Sequence, residues 1–266
     1  MLARSAEQDQ ESSRMKLRVL GAIVIAASLC LMIFSPSSQA VEKNTKIPTA
    51  TRFQPAATTL QAIVVKNTSW RSSYATVEVW SRRTAASRWI QWAPTTGRVG
   101  RSGIKIVRSQ NDGSTPAGMF GVLWGFGLSA ANPNAKGMQW RQITSNDSWV
   151  GDPNHRPTYN TFQTWFSPGW DRAESERLWN YRYGQYRYAW VIDYNRPRLG
   201  TRPASEPQPI LTGPGSGNGI FLHVNGSGST EGCVSIPRSK LAAWSAWFRA
   251  SSNPVLIIGE DDWLKG

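Results

Sequence analysis

The chain has 266 residues, with 30 Lys and Arg against 17 Asp and Glu and a net charge of +13. A hydrophobic content of 40% excludes a disordered or collagen-like chain and is enough for a sizeable core. Two Cys and two His are too few for a zinc ribbon, an iron–sulfur scaffold or a disulfide-stapled fold. Any catalytic site must therefore use few reactive groups.

The N-terminal segment has the pattern of a signal peptide. A basic stretch that ends at Arg18 precedes the uncharged run 19–34, and the small-x-small sequence Ser38-Gln39-Ala40 follows it. The run is shorter than the roughly 20 residues that span a bilayer, although an uncleaved anchor is the alternative. The sequence thus predicts a signal peptide over residues 1–40, an exported protein of the periplasm, the cell wall or the extracellular space, and no stable membrane insertion after cleavage.

Cleavage after Ala40 leaves 226 residues with one cysteine, Cys233, and a net charge of +12. Exported proteins usually pair their cysteines, so a lone thiol suggests a reactive group or an intermolecular bridge, with a buried inert cysteine as the alternative. The basic residues are scattered, so we expect no nucleic-acid partner. Anionic wall polymers are the expected counterpart of this charge, and a merely solvated basic surface is the alternative.

The remaining chain predicts one mainly β domain with flanking helices over residues 60–266, preceded by a flexible Thr-, Ala- and Lys-rich lead-in over 41–59. Short apolar or alternating runs between Ser, Gly, Asn and Thr clusters predict the strands. They are expected at 62–65, 75–80, 89–93, 104–107, 119–123, 188–194, 219–224, 234–236 and 255–258.

Two helices are predicted beside these strands. The first covers 171–181, with acidic residues early and Arg177 later, and the second covers 238–250, with an apolar stripe that includes Leu241 and Trp244. The aromatic residues between Trp165 and Trp190 could line a groove for peptide or glycan, or simply pack in the core.

The most informative stretch places a histidine and the lone cysteine close together. His223 ends a predicted strand, and Cys233 follows ten residues later after a Gly- and Ser-rich loop. An imidazole within reach could take the thiol proton, and Gly232 could let the amides of Gly232 and Cys233 point at a developing oxyanion. The alternative is a glycine-rich hairpin with a coincidental Cys and a core His.

Two segments resemble the YkuD-type L,D-transpeptidase catalytic domain. Ile220-Phe-Leu-His223 with Thr230-Glu-Gly-Cys233-Val-Ser resembles its histidine strand and Ser/Thr-x-Gly-Cys loop, and Asp112-Gly-Ser-Thr115-Pro-Ala-Gly118 resembles its Thr-Pro-x-Gly turn. The middle segment from Trp149 to Asn160 is similar to the wall-enzyme branch. The resemblance covers roughly residues 60–259, most of the mature chain, and implies a β-sandwich or barrel-like thiol enzyme that acts on peptidoglycan stem peptides.

This resemblance implies a role for each matched residue. Cys233 would attack the carbonyl of a diamino acid at the third stem position and form a thioester, with His223 as the base and Gly232 in the oxyanion hole. A backbone carbonyl near Val224 would orient the histidine ring. The side chains or backbone of Thr230, Asn225, Ser235 and Val224 are expected to bind substrate. An amine would resolve the thioester into a cross-link, whereas water would hydrolyse it.

The sequence also departs from the family pattern. The loop before Cys233 is short, Glu231 replaces a frequent His, and Ser235 stands where Arg or Asn is often found. A carboxylate beside the thiol would oppose thiolate formation, so we expect Glu231 to point into solvent. These departures keep two alternatives open: a wall hydrolase (L,D-carboxypeptidase, endopeptidase or amidase) on the same scaffold, and a non-catalytic wall-binding module.

No cofactor and no metal are expected. Asp152 and His155 could form half of a metal site, but once His223 is assigned no other histidine is left to complete it, so a surface loop is the better interpretation. The oligomeric state is not predicted by any of these patterns.

Overall fold

The computed structural model describes residues 46–134, 137–196 and 213–266. The predicted signal peptide, with residues 41–45, lies outside the described residues. Within these ranges, no helix has the length and apolar character needed to cross a membrane.

Strands dominate the described part of the chain. They are β1 (Gln61–Asn67), β2 (Tyr74–Ser81), β3 (Ile90–Arg98), β4 (Ile104–Lys105), β5 (Thr115–Pro116), β6 (Gly118–Gly127), β7 (Trp140–Gln142), β8 (Asp147–Trp149), β9 (Phe162–Thr164), β10 (Glu176–Arg177), β11 (Tyr188–Ile192), β12 (Phe221–Val224), β13 (Val234–Ile236) and β14 (Val255–Glu260). The helices are α1 (Arg238–Trp247) and α2 (Asp261–Lys265), with 3-10 turns at Leu178–Tyr181, Gln185–Arg187 and Ala250–Ser252.

Eight of these strands close into a barrel. The order is β11-β12-β13-β3-β2-β1-β14-β6, and β6 pairs back onto β11 to complete the ring. Strand β7 extends the sheet beside β6, and β10-β8-β9 form a separate three-stranded sheet. The expectation of a mainly β fold with few helices is confirmed, and its form is a closed eight-stranded barrel.

Alternation along the strands divides the apolar side chains into inner and outer layers. In β12, Leu222 and Val224 belong to the interior cluster, whereas Phe221 belongs to a second cluster with Trp149 and Tyr186. The interior cluster includes residues of α1, and Trp190 donates a hydrogen bond from its indole to Ser245 Oγ of that helix at 2.8 Å. Because His223 alternates with Leu222 and Val224, it faces the outer layer.

The lead-in expected to be flexible over 41–59 is packed in its described part. Ile47 and Ala50 are fully buried in a cluster that also contains Leu264 of α2. The Phe53 ring meets Trp263 edge to face, with centroids 5.5 Å apart. Apolar residues spaced along this segment therefore attach it to the outer face of the barrel beside the C-terminal helix.

The helix predicted over 171–181 is wrong. Glu176 and Arg177 instead form β10 and pair with Trp149 and Ser148 of β8, and only a 3-10 turn follows at Leu178–Tyr181. Sheet pairing replaces helical hydrogen bonds here, and fully buried Leu178 anchors the turn in the outer cluster. The second predicted helix is confirmed as α1, which ends slightly earlier than expected.

Candidate active site

The strand that carries His223 and the strand that directly follows Cys233 are neighbours and run parallel. His223 of β12 is in register with Ser235 of β13, so Cys233 lies diagonally across from His223 on the adjacent chain segment. Parallel strands start at the same end of a sheet, and the chain must therefore travel back along β12 before β13 begins. The segment 225–233 makes this return, which excludes the glycine-rich hairpin as the alternative.

This return segment forms one wall of a cleft with a volume of about 660 Å³. His223, Cys233, Gly232 and Thr230 line the cleft, and Tyr186 lines it as well. The structure thus brings together the histidine, the thiol and the glycine that the sequence singled out, on the outer face of the barrel wall. Of the aromatic residues between 165 and 190, Tyr181 and Tyr186 lie in the cleft, whereas Trp190 is in the barrel core.

The His223 ring is held in one orientation by the backbone. Its Nδ1 lies 2.8 Å from the carbonyl oxygen of Val224, so Nδ1 carries the proton and donates this hydrogen bond, which leaves the Nε2 lone pair available. Tyr186 packs edge-on against the imidazole, with ring centroids 5.7 Å apart. Burial lowers the pKa of His223 to about 4, although the Val224 hydrogen bond acts in the opposite direction. The ring is therefore neutral near pH 7.

The Cys233 thiol is held between two backbone groups. It donates to the carbonyl of Gly219 at 3.2 Å and accepts from the Phe221 amide at 3.4 Å. Burial, and then the charge of Glu176, raises the pKa of Cys233 to about 12, while the Phe221 amide and Arg108 act in the opposite direction. At neutral pH the resting pair is thus a thiol and a neutral imidazole, not an ion pair.

Gly232 is required by its backbone geometry. Its φ of +148° is unfavourable for other residues, and a Cβ at this position would lie 2.9 Å from the carbonyl oxygen of Ser114. Its amide donates to Thr230 Oγ1 at 3.2 Å. In this structure the Gly232 amide is therefore used inside the loop, and the donation to an oxyanion expected of it would require this bond to break.

Thr230 is a loop-forming residue as well as a cleft residue. Its hydroxyl donates to the carbonyl of Cys233 at 2.6 Å while it accepts from Gly232, and its backbone bridges to Gly100. The Thr230 hydroxyl is thus occupied by the nucleophile loop, so the direct substrate contact expected of it would require this bond to break.

The second motif, residues 112–118, lies directly beside the nucleophile loop. Thr115 Oγ1 is 3.3 Å from the carbonyl oxygen of Cys233 and accepts the Gly100 amide at 2.8 Å. Asp112 shapes the turn by accepting hydrogen bonds from the amide and the hydroxyl of Ser114. Partial burial acts to raise the pKa of Asp112, but hydrogen bonds from Ser114, Lys105 and Ser109 hold that pKa well below its usual range. Two segments far apart in sequence therefore support one loop.

The carboxylate that raises the pKa of the Cys233 thiol belongs to Glu176, not to Glu231, the residue that the sequence suggested. Glu231 is exposed, as expected, and its oxygens accept from Arg101 Nε at 2.9 and 3.0 Å. Glu176 of β10 lines the cleft and accepts from the Tyr186 hydroxyl at 2.7 Å. Burial raises the pKa of Glu176 to about 7, against the effect of that hydroxyl.

Sequence reasoning missed Glu176, Tyr186 and Arg108 as members of the site. Each reaches the cleft only through tertiary packing, because β10 pairs with β8 and Arg108 lies in the loop after β4. Because residues 171–181 were predicted to form a helix, Glu176 was not considered as a strand residue.

Three of the expected substrate-binding residues lie outside the cleft lining. Val224 points into the barrel core, and Ser235 is fully buried with its hydroxyl unpaired among the described residues. Asn225 is half-buried and is also absent from the cleft wall. Strand alternation turns Val224 into the core, and Asn225 lies in the segment after β12, whereas Ser235 shares the face of His223 but is fully buried. Of these residues, only Val224 contributes, through the carbonyl that holds His223.

Asp152 and His155 form a turn. The Asp152 carboxylate accepts from the amides of Asn154 and Asp171, and His155 Nδ1 lies 2.6 Å from Thr158 Oγ1. No group of three or more metal-ligating side chains occurs within 46–134, 137–196 and 213–266.

No protein-family model, curated protein or solved structure matches this chain. The resemblance to L,D-transpeptidases therefore rests on the residues described above.

Proposed function

We propose that this chain is an exported cysteine L,D-transpeptidase of the cell wall, built on a YkuD-like catalytic domain. The observation that carries the proposal is the shared cleft of Cys233 and His223, with the His223 Nδ1 proton held by the Val224 carbonyl. The contact from Thr115 of the second motif to the Cys233 carbonyl supports it, because both family-like segments then serve one loop.

The proposed reaction begins with attack of Cys233 Sγ on a stem-peptide carbonyl. A carbon–sulfur bond forms as the thiol proton passes to His223 Nε2. Collapse of the tetrahedral intermediate breaks the peptide C–N bond, and the amine of the terminal D-residue leaves with that proton. An amine of a second stem then attacks the thioester, which forms the cross-link and restores the thiol.

The proton must move during the attack rather than before it. With the pKa of Cys233 near 12 and that of His223 near 4, the thiolate–imidazolium pair is disfavoured in the free protein. Protonation of Glu176, whose pKa is about 7, removes the negative charge that opposes thiolate formation. Substrate that displaces water from the cleft would also change these electrostatics.

The direct test uses the purified protein and a tetrapeptide-stem muropeptide, followed by mass spectrometry. Loss of the terminal D-residue together with dimer formation is expected, and Cys233→Ala should abolish both. Ser239→Ala is the matched control, since this exposed serine lies in α1, outside the cleft lining. A small thiol-directed reagent should label Cys233 more slowly in the His223→Asn variant than in the wild-type protein.

Two other outcomes correspond to other functions. Monomeric product without dimer would indicate a hydrolase on the same site. Unchanged muropeptide together with tight wall binding would indicate a non-catalytic binding module. The high pKa of Cys233 would agree with that function, because a protonated thiol is a poor nucleophile. Either result would refute transpeptidation.

A further inference from the structure

Arg108 is a buried cation whose hydrogen-bonding capacity is largely unused. Its side chain is 3% exposed, and Nε and Nη1 are buried without a hydrogen-bond acceptor among the described residues. The Asp112 carboxylate is 3.7 Å from Nε, beyond hydrogen-bond distance, and its Oδ1 already accepts from Ser114. Leaving guanidinium donors buried and unpaired is unfavourable, so an anion at this position would stabilise the site.

Two glycines allow the backbone to pack closely against the guanidinium. A Cβ added at Gly217 would lie 2.6 Å from Arg108 Nη1, and one added at Gly232 would lie 3.2 Å from Nη2. Gly232 directly precedes Cys233, so the guanidinium is next to the nucleophile loop. A ligand group bound there would lie close to the carbonyl that the thiol attacks.

The charges around the cleft make Arg108 the place where an anion would bind. Three carboxylates line the cleft, those of Glu174, Glu176 and Glu231, and Arg108 is the one Lys or Arg within the described lining. Glu231 is engaged by Arg101, whose charge lies outside that lining. The planar fork of a guanidinium matches a carboxylate in two-point geometry.

We propose that Arg108 binds a carboxylate of the acyl donor and thereby sets the register of the scissile carbonyl against Cys233. The inference rests on the proposed function, since it assumes a stem peptide in the cleft. The carboxylate has two possible sources, the C-terminus of the leaving D-residue and the side chain of a diamino diacid at the third position. Arg108 acts as a specificity-determining residue in either case.

The test measures peptide binding to the Cys233→Ala variant by calorimetry, so that no turnover occurs. Three tetrapeptides are compared: the free acid, the same peptide with a terminal carboxamide, and a peptide with lysine in place of the diamino diacid. We expect one of the two changes to weaken binding at least tenfold. Weaker binding of the carboxamide identifies the C-terminus, and weaker binding of the lysine peptide identifies the side chain.

Arg108→Gln in the same background should reduce this discrimination to less than twofold, and Arg108→Lys should retain part of it. Arg101→Gln is the control, because it removes an equal charge beside the cleft and should leave the discrimination unchanged. Thermal melting of each variant verifies folding. Equal weakening of all three peptides by Arg108→Gln would overturn the proposal, because Arg108 would then act without regard to the carboxylate.

Failure of the two proposals can be separated. If the wild-type protein discriminates through Arg108 but forms no thioester, the transpeptidase function fails and the carboxylate site stands. The wild-type protein and Arg108→Gln can also be compared by the relative rates at which each turns over the acid, carboxamide and lysine peptides. If these relative rates are the same in both proteins, the carboxylate site alone fails. If none of the peptides binds, both fail.

Discussion

His223 and Glu176 should give the protein two opposing pH dependences of stability. Burial lowers the pKa of His223 from 6.5 to about 4, so between these values the unfolded chain holds a proton that the folded chain does not. The free energy of unfolding therefore rises with pH across this interval. Burial raises the pKa of Glu176 from 4.5 to about 7, so there the folded chain holds the extra proton and stability falls as pH rises.

Each of these shifts corresponds to about 3 kcal/mol when its interval is fully crossed. For Glu176 this is an upper value, since its side chain is half-buried and water screens part of the effect. The two intervals overlap between pH 4.5 and 6.5, where the opposing slopes nearly cancel. The wild-type protein should accordingly show little net pH dependence from this pair.

Single variants should expose each slope. Glu176→Gln keeps an acceptor for Tyr186 and leaves the His223 titration, so stability should increase by up to about 3 kcal/mol from pH 4 to 6.5. His223→Asn leaves the Glu176 titration, so stability should decrease from pH 4.5 to 7. Urea unfolding followed by tryptophan fluorescence at each pH measures both, and the double variant should be flat. Equal slopes for wild type and Glu176→Gln would refute the reasoning.

Three substitutions test other parts of the fold by urea unfolding. Gly232→Ala should destabilise the protein by about 1–3 kcal/mol, because its φ is positive and Ser114 blocks the Cβ, whereas Gly228→Ala meets open space and should be neutral. Leu241→Ala should cost about 2–5 kcal/mol because the side chain is fully buried, while exposed Lys240→Ala should change little; similar values would argue against α1 as part of the core. Arg101→Gln should cost less than about 1 kcal/mol, since its partner Glu231 is exposed, and a larger loss would indicate a structural role for the pair.

The apolar periodicity of the sequence predicted those helices and strands whose local pattern agrees with their burial in the fold. The apolar stripe with Leu241 and Trp244 forms α1, and the run at 234–236 forms β13, because burial of these side chains agrees with their periodicity. Over 171–181 the apolar edge at Leu178 fits a helix equally well, yet pairing with β8 decides the structure. Pairing with a strand that is distant in sequence leaves no periodic pattern in the local sequence.

The candidate site was predictable in its nucleophile and base but not in its electrostatics. His223 and Cys233 belong to one short segment, so their proximity follows from the chain itself. The concern about a carboxylate near the thiol was chemically sound but was attached to Glu231, which faces solvent, while Glu176 takes that place. Arg108, in the loop after β4, and Glu176, in β10, reach the cleft only through tertiary packing.

The charge of the cleft is opposite to that of the chain. The protein carries a net charge of +13, whereas the charged residues in the described part of the cleft lining are three glutamates and one arginine. Under the proposed function, these charges divide the work. Scattered surface cations would retain the protein on anionic wall polymers, which would be excluded from the acidic cleft by like charge. A stem peptide offers both an amine and a carboxylate, and it therefore suits a cleft with carboxylates on its walls and a single guanidinium beside Cys233.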